Sequence, residues 1–184
     1  LAELVCSNSL KAENLTSGAG LLKAEMRQMG SLLLKAADAS RIPAGSALAV
    51  DRKKFSAYVD RVIRTSANIH LVQKEVDFIP EGPCIIATGP LSSSAMMQAL
   101  KNTLHADACY FFDAQAPIVT ADSIDLTKAY AKSRYDKGEA DYLNCPLDRE
   151  EFERFYQAVI NAKTVPIRSF EKEIYYEGCM PFEV

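Results

Sequence analysis

The stretch Cys84-Ile85-Ile86-Ala87-Thr88-Gly89-Pro90 decides the fold class of this chain. Its four opening residues form a continuous apolar run, which reads as a strand buried on both faces. Thr-Gly-Pro then stops the run at a turn that can face a ligand. Strands buried in this way belong to sheets covered by helices, so the flanking sequence is expected to supply both.

Upstream, the spacing predicts a helix over roughly 14–39, with Leu22, Met26, Met29 and Leu33 as an apolar stripe packed in the core. Gly30 weakens its middle and predicts a kink or break. Pro43-Ala44-Gly45 marks a loop, Ser46 to Val50 a strand-like segment, and Asp51 the cap of a second helix with Phe55, Val59, Val62 and Ile63 inward. Ile69–Val72 and Val76–Ile79 read as short strands before the turn Pro80-Glu81-Gly82-Pro83.

Downstream, Ser92 to His105 reads as a helix with Met96, Leu100 and Leu104 inward. Cys109–Phe112, Ala129–Lys132 and Ile174–Tyr176 read as strands. Asp148 and Glu151 form an Asp-x-x-Glu capping box ahead of a helix carrying Phe152, Phe155 and Val159 on one side. The rhythm changes after Pro90, which sets a soft boundary in an α/β or α+β chain.

Composition narrows the function. A net charge of −3 argues against a dedicated nucleic-acid-binding domain, although a local basic patch remains open. Five cysteines without a CxxC pair do not read as a zinc site, and the odd count fits reduced thiols in a cytosol. Two histidines give poor support to a Ser-His-Asp triad or a histidine-rich metal site, so no metal is expected. No GxGxxG or GxxxxGK[ST] occurs. No apolar run is long enough to span a bilayer, and no secretory signal opens the chain. Leu1 in place of a methionine and an apolar-rich final segment give the expectation that both ends are cut.

Three segments can carry chemistry. Val5-Cys6-Ser7-Asn8-Ser9 sets a thiol among small polar residues ahead of a helix, where a helix N-terminus would favour thiolate. Gly178-Cys179-Met180-Pro181 sets a second thiol between a residue that admits close ligand approach and one that fixes the turn. On local pattern alone both fit buried or capping, structural cysteines better, as do Cys84 and Cys109 in their apolar runs; Cys145 stands in a turn. Ser133-Arg134-Tyr135-Asp136-Lys137-Gly138, followed by Tyr142, interleaves basic and aromatic side chains as RNA contact requires, or as a solvated charged loop would.

Read as whole segments, the chain resembles the bacterial folate- and FAD-dependent tRNA (uracil-5-)-methyltransferases from near one end to the other. The resemblance is carried by Glu3-Leu4-Val5-Cys6-Ser7-Asn8-Ser9-Leu10, Pro43-Ala44-Gly45 with Ala47-Leu48-Ala49-Val50-Asp51-Arg52, and Ile85-Ile86-Ala87-Thr88-Gly89-Pro90-Leu91. Asp122-Ser123-Ile124-Asp125, Ser133 to Glu139, Tyr142-Leu143-Asn144-Cys145-Pro146, Phe170-Glu171-Lys172-Glu173 and Glu177-Gly178-Cys179-Met180-Pro181 complete it. Ser46 and Gln115 depart from the family pattern.

The resemblance implies part of a glutathione-reductase-type FAD-binding domain over residues 1–90. It implies a mostly inserted mixed α/β domain over 91–184, returning to the FAD domain near its end. Cys179 and Cys6 correspond to the two family thiols: Cys179 to attack uracil C6, Cys6 beside the flavin, with the roles open to exchange. Asn8, Ser9, Ala87, Thr88 and Gly89 are implied flavin neighbours; Arg134, Tyr135 and Lys137 are implied tRNA contacts. Methylenetetrahydrofolate, FAD and NAD(P)H are the implied cosubstrates and cofactor, tRNA the partner, and the cytoplasm the compartment. A ribosomal RNA target, the related branch that modifies the wobble uridine, and a non-catalytic RNA- or protein-binding module are the alternatives.

Overall fold

A computed structural model describes residues 1–5, 7–89, 92–105, 119–133 and 139–163 of the chain. The class is mixed α/β, in two compact units, one spanning 1–71 with 115–147 and the other 72–114 with 148–184.

The first unit is built on a three-stranded antiparallel sheet in the order β1-β3-β2, with β1 at Ser9–Ala12, β2 at Arg41–Ile42 and β3 at Ala47–Val50. Opposite β3, β1 carries an extra residue: Ser9 faces Ala49 but Ala12 faces Ala47. Lys11 absorbs this bulge with a φ of 66°. The predicted helix over 14–39 is two helices, α1 (Gly18–Gln28) and α2 (Leu32–Ala39). Gly30, at φ 74°, makes the break between them, as its place in the sequence predicts.

Asp51 caps α3 (Arg52–Thr65) by accepting the Lys54 N–H at 3.0 Å. Phe55 and Val59, one turn apart, bury against Ala36, Ala37, Leu48 and Val50. Leu4, Leu10, Leu32, Tyr58 and Ile63 close around that cluster. Thus α2 and α3 cover the sheet, while α1 packs against β1 and α2. Gly20 is demanded by packing, since a Cβ there would lie 2.0 Å from the Asn14 carbonyl oxygen. Polar ties reinforce the same corner. Buried Lys23 donates to the Ala12 and Ala19 carbonyls, each at 3.0 Å, and burial pulls its ammonium below the usual lysine range. Arg27 bonds Asp38 through both Nε and Nη2, at 2.9 and 2.6 Å, and reaches Glu13, which also pairs with Arg41. A separate two-stranded hairpin, β4 (Tyr130–Lys132) and β5 (Tyr142–Asn144), completes the described part of this unit.

In the second unit, α4 (Ser94–Leu104) starts at Ser93, which accepts the Met96 N–H at 3.2 Å, and buries Met96 and Met97. The Asp148–Glu151 box opens α5 (Arg149–Ile160), with its two reciprocal bonds at 2.8 and 3.1 Å. Among the described residues, no helix is long and apolar enough to cross a membrane.

Three expected strands are absent: Ile69–Val72, Val76–Ile79 and Cys84–Ala87 enter no strand, and Ile85 is 94% exposed. An apolar run becomes a buried strand only beside other strands, and none of the described strands pairs with these. The Leu22–Met29–Leu33 stripe is likewise on the surface, with Met29 85% exposed. Leu104, expected inward, is exposed too, and so are Phe152 and Phe155 on their shared side of the later helix. An amphipathic pattern marks a face fit for burial and does not supply what buries it. The expected strands at 109–112 and 174–176 lie outside the described residues.

Candidate functional site

The thiol-bearing segment near the start of the chain is gripped by the junction between β3 and α3. Before Cys6, the Leu4 side chain packs against the core cluster, and its carbonyl accepts a hydrogen bond from Arg52 Nη2. After it, Asn8 and Val50 bond twice: Val50 N–H donates to the Asn8 carbonyl at 3.0 Å, and Asn8 Nδ2 donates to the Val50 carbonyl at 2.9 Å. The junction is itself fixed. Asp51 N–H donates to the Ser40 carbonyl at 2.8 Å, and buried Ser40 donates its hydroxyl to Ala36 at 2.7 Å. Ser7 Oγ accepts the Ser9 N–H at 3.0 Å, which shapes the turn into β1.

Ala87, Thr88 and Gly89 form an exposed bend in the second unit. Gly89 takes a φ of 70°, and open space surrounds the direction in which a Cβ would point. Buried Ser92 braces the bend from behind: its hydroxyl donates to the Gly89 carbonyl at 2.7 Å, lies 2.5 Å from Thr88 Oγ1, and its N–H reaches the same carbonyl at 3.3 Å. A bare, braced backbone of this kind lets a flat ring or a sugar approach closely. Asn8 and Ser9 belong to the first unit and the 87–89 bend to the second, so each half of the implied flavin contact stands by itself.

Two bonds hold the loop end of the β4–β5 hairpin to the Pro43-Ala44-Gly45 turn. Asp141 Oδ2 accepts the Gly45 N–H, and the Tyr142 hydroxyl donates to the Ala44 carbonyl, both at 2.8 Å. A shallow cleft of about 330 Å³ opens there, with Arg41 and Asp141 in its wall. Tyr142, read from sequence as a member of the basic and aromatic loop, is therefore spent on anchoring the hairpin.

Cys6, Cys179, Arg134, Tyr135 and Lys137 lie outside the described residues. Cys84, expected in the core, is exposed, its apolar run pairing with none of the described strands; Cys145 is exposed as well. Among the described residues no group of three or more His, Cys, Asp and Glu side chains could hold a metal. Sequence reading missed Arg52 and the pair of hydrogen bonds between Asn8 and Val50. Their partners lie 48 and 42 residues away, so no local spacing could announce them.

The pattern of the family "Glucose inhibited division protein A" matches residues 1–183. The chain is 58% identical over 183 residues to the methylenetetrahydrofolate–tRNA-(uracil-5-)-methyltransferase TrmFO of Bacillus pumilus. It is 57% identical to the TrmFO of Exiguobacterium sibiricum and 54% identical to that of Staphylococcus carnosus. Each match covers all of this chain but only 42% of the relative, so the chain spans less than half the length of these curated relatives. With the family pattern running almost from end to end, the chain belongs to the glucose inhibited division protein A family.

Proposed function

We propose that this chain forms part of an enzyme that makes 5-methyluridine in the T-loop of tRNA, using methylenetetrahydrofolate as carbon donor, FAD as cofactor and NAD(P)H as reductant, in the cytoplasm. The observation that carries this reading is identity of 54–58% over the whole chain to proteins named for that activity. In this reading residues 1–90 belong to the FAD-binding domain and 91–184 mostly to an inserted domain.

Uracil C5 is a poor nucleophile until C6 is attacked. A cysteine thiolate adding to C6 pushes the electron pair through the C5–C6 bond onto the C4 carbonyl, giving an enolate whose C5 can attack a one-carbon unit. Loss of the C5 proton and elimination of the thiolate then restore the ring and the enzyme. Cys179 is assigned the attack on C6 and Cys6 the place beside the flavin. When bound, the reduced flavin carries and reduces the one-carbon unit.

The residues that would hold FAD are Asn8, Ser9, Ala87, Thr88 and Gly89. The open approach at Gly89, with Ser92 behind it, fits such a group. Arg134 and Lys137 would pair with tRNA phosphates and Tyr135 would stack on a base. The test is nucleoside mass spectrometry after incubating the complete polypeptide with unmodified tRNA, methylenetetrahydrofolate and NAD(P)H. Folate-dependent 5-methyluridine in tRNA supports the reading. Methylation confined to ribosomal RNA would move the substrate, and none in either RNA would remove the activity.

A further inference from the structure

The geometry points to the cleft beside the Pro43-Ala44-Gly45 turn as a pocket for an unpaired guanine of the RNA substrate, a reading that rests on the function proposed above. The cleft has a volume of about 330 Å³, at the low end for small-ligand sites. Ile42, Pro43, Ala44 and Ala47 supply its apolar lining, and Arg41 and Asp141 its two charges. Among the described residues these opposite charges do not pair with each other, although they share one cleft. Each is held by a different partner.

Arg41 Nη2 bonds Glu13, itself pinned by Arg27, and the Arg41 side chain stays half exposed, with donors free on its other nitrogens. Asp141 gives Oδ2 to the Gly45 N–H at 2.8 Å, and its Oδ1 has no protein partner among the described residues. Side chains braced in this way lose little freedom when a ligand arrives. A ligand that satisfies both needs adjacent N–H donors for the carboxylate and adjacent acceptors for the guanidinium. Guanine carries both sets on one ring: N1–H and the 2-amino group on one edge, O6 and N7 on the next. Adenine and the pyrimidines lack that combination. A pterin shares the 2-amino-4-oxo edge, but Asp141 closes the loop whose basic and aromatic residues are assigned to RNA, which favours the RNA base. Bases splayed out of a single strand are read on these edges.

The test uses the complete protein and a short labelled oligouridine carrying one guanosine, with affinity read by fluorescence anisotropy. Inosine in its place lacks the 2-amino group and should bind about tenfold more weakly. The 7-deazaguanosine RNA lacks the N7 acceptor and should bind weaker than guanosine by roughly fivefold. Asp141→Asn keeps an oxygen for the Gly45 N–H but turns the second acceptor into a donor, so guanosine and inosine should become equal. Arg41→Lys keeps the charge beside Glu13 but loses the planar fork, so the contrast between guanosine and 7-deazaguanosine should collapse.

Equal binding of the guanosine and inosine RNAs by the wild-type protein would overturn the pocket, and so would a contrast that survives Asp141→Asn. Free pterin that binds through Asp141 while RNA shows no guanosine preference would overturn the assignment to RNA. Should either variant fail to fold, the base replacements in the wild-type protein decide alone. Anisotropy does not depend on methyl transfer. An intact guanosine contrast without methylation therefore strikes only the activity, and methylation without the contrast strikes only the pocket.

Discussion

The hydroxyl of Tyr142 donates to the carbonyl of Ala44 at 2.8 Å, 98 residues away in the chain. Beside it, Asp141 accepts the Gly45 N–H, so the loop end of the β4–β5 hairpin rests on the turn between β2 and β3. The residues that join the two hairpin strands run from 133 to 141 and include Arg134, Lys137 and the anchoring Asp141.

Tyr142→Phe removes one of these bonds and should cost about 1 kcal/mol of local stability. The readout is amide hydrogen exchange in β4 and β5, which should quicken in Tyr142→Phe and in Asp141→Ala while α3 keeps its protection. Unchanged exchange in both variants would show that the hairpin is held by something else.

Gly18 and Gly20 give a paired test of packing. A Cβ at Gly20 would lie within 2.0–2.7 Å of backbone atoms of Glu13 and Asn14, whereas one at Gly18 meets nothing within 4 Å. Gly20→Ala should therefore destabilise the protein by at least about 1–3 kcal/mol, and Gly18→Ala should be neutral or slightly stabilising. Denaturant melts of the two variants check the contrast.

Asp38 gives a pH dependence. Its hydrogen bonds from Arg27 hold the carboxyl below the ordinary range, against the opposing pull of burial. The folded state therefore takes up this proton less readily than the unfolded chain. The pair's contribution is complete above the unfolded carboxylate pKa, near 3.9, and drains away as pH falls through the lower folded value. The pair is partly solvated, with side-chain exposures of 30% and 43%, so Asp38→Asn should cost no more than about 1 kcal/mol at neutral pH. Its acid-unfolding curve should be correspondingly flatter; a curve parallel to wild type would contradict the assignment.

Local chemistry carried much of this fold in the sequence. The Asp51 cap, the Asp148–Glu151 box, the break at Gly30 and the Phe55–Val59 face of α3 each depend on neighbours within a few residues. Features that depend on distant partners were not legible. The β1 bulge at Lys11 and the two-residue β2 carry no pattern of their own, and Ile85 in an apolar run is exposed because strand pairing is a property of neighbours. The site divides the same way. The Thr88-Gly89 bend could be read from its composition, whereas the grip of Arg52 and Val50 on the Cys6 segment could not.

The basic loop offers a separate check on RNA binding. In the complete protein, Arg134→Ala and Lys137→Ala should each weaken tRNA affinity and lower the slope of log affinity against log salt by somewhat less than about one. Unchanged affinity and slope in both would leave the loop as a solvated surface.

The central claim is covalent attack on uracil by Cys179, and a tRNA carrying 5-fluorouracil tests it most directly. Fluorine at C5 blocks the loss that releases the enzyme, so the thioether at C6 should persist as a gel-stable protein–RNA adduct. With the complete, FAD-loaded protein the adduct should form. It should vanish in Cys179→Ala with flavin content and fold unchanged, and Cys179→Ser should not restore it. An adduct that survives Cys179→Ala but disappears in Cys6→Ala would contradict the assignment and exchange the two thiols, and one that survives both would contradict attack by either.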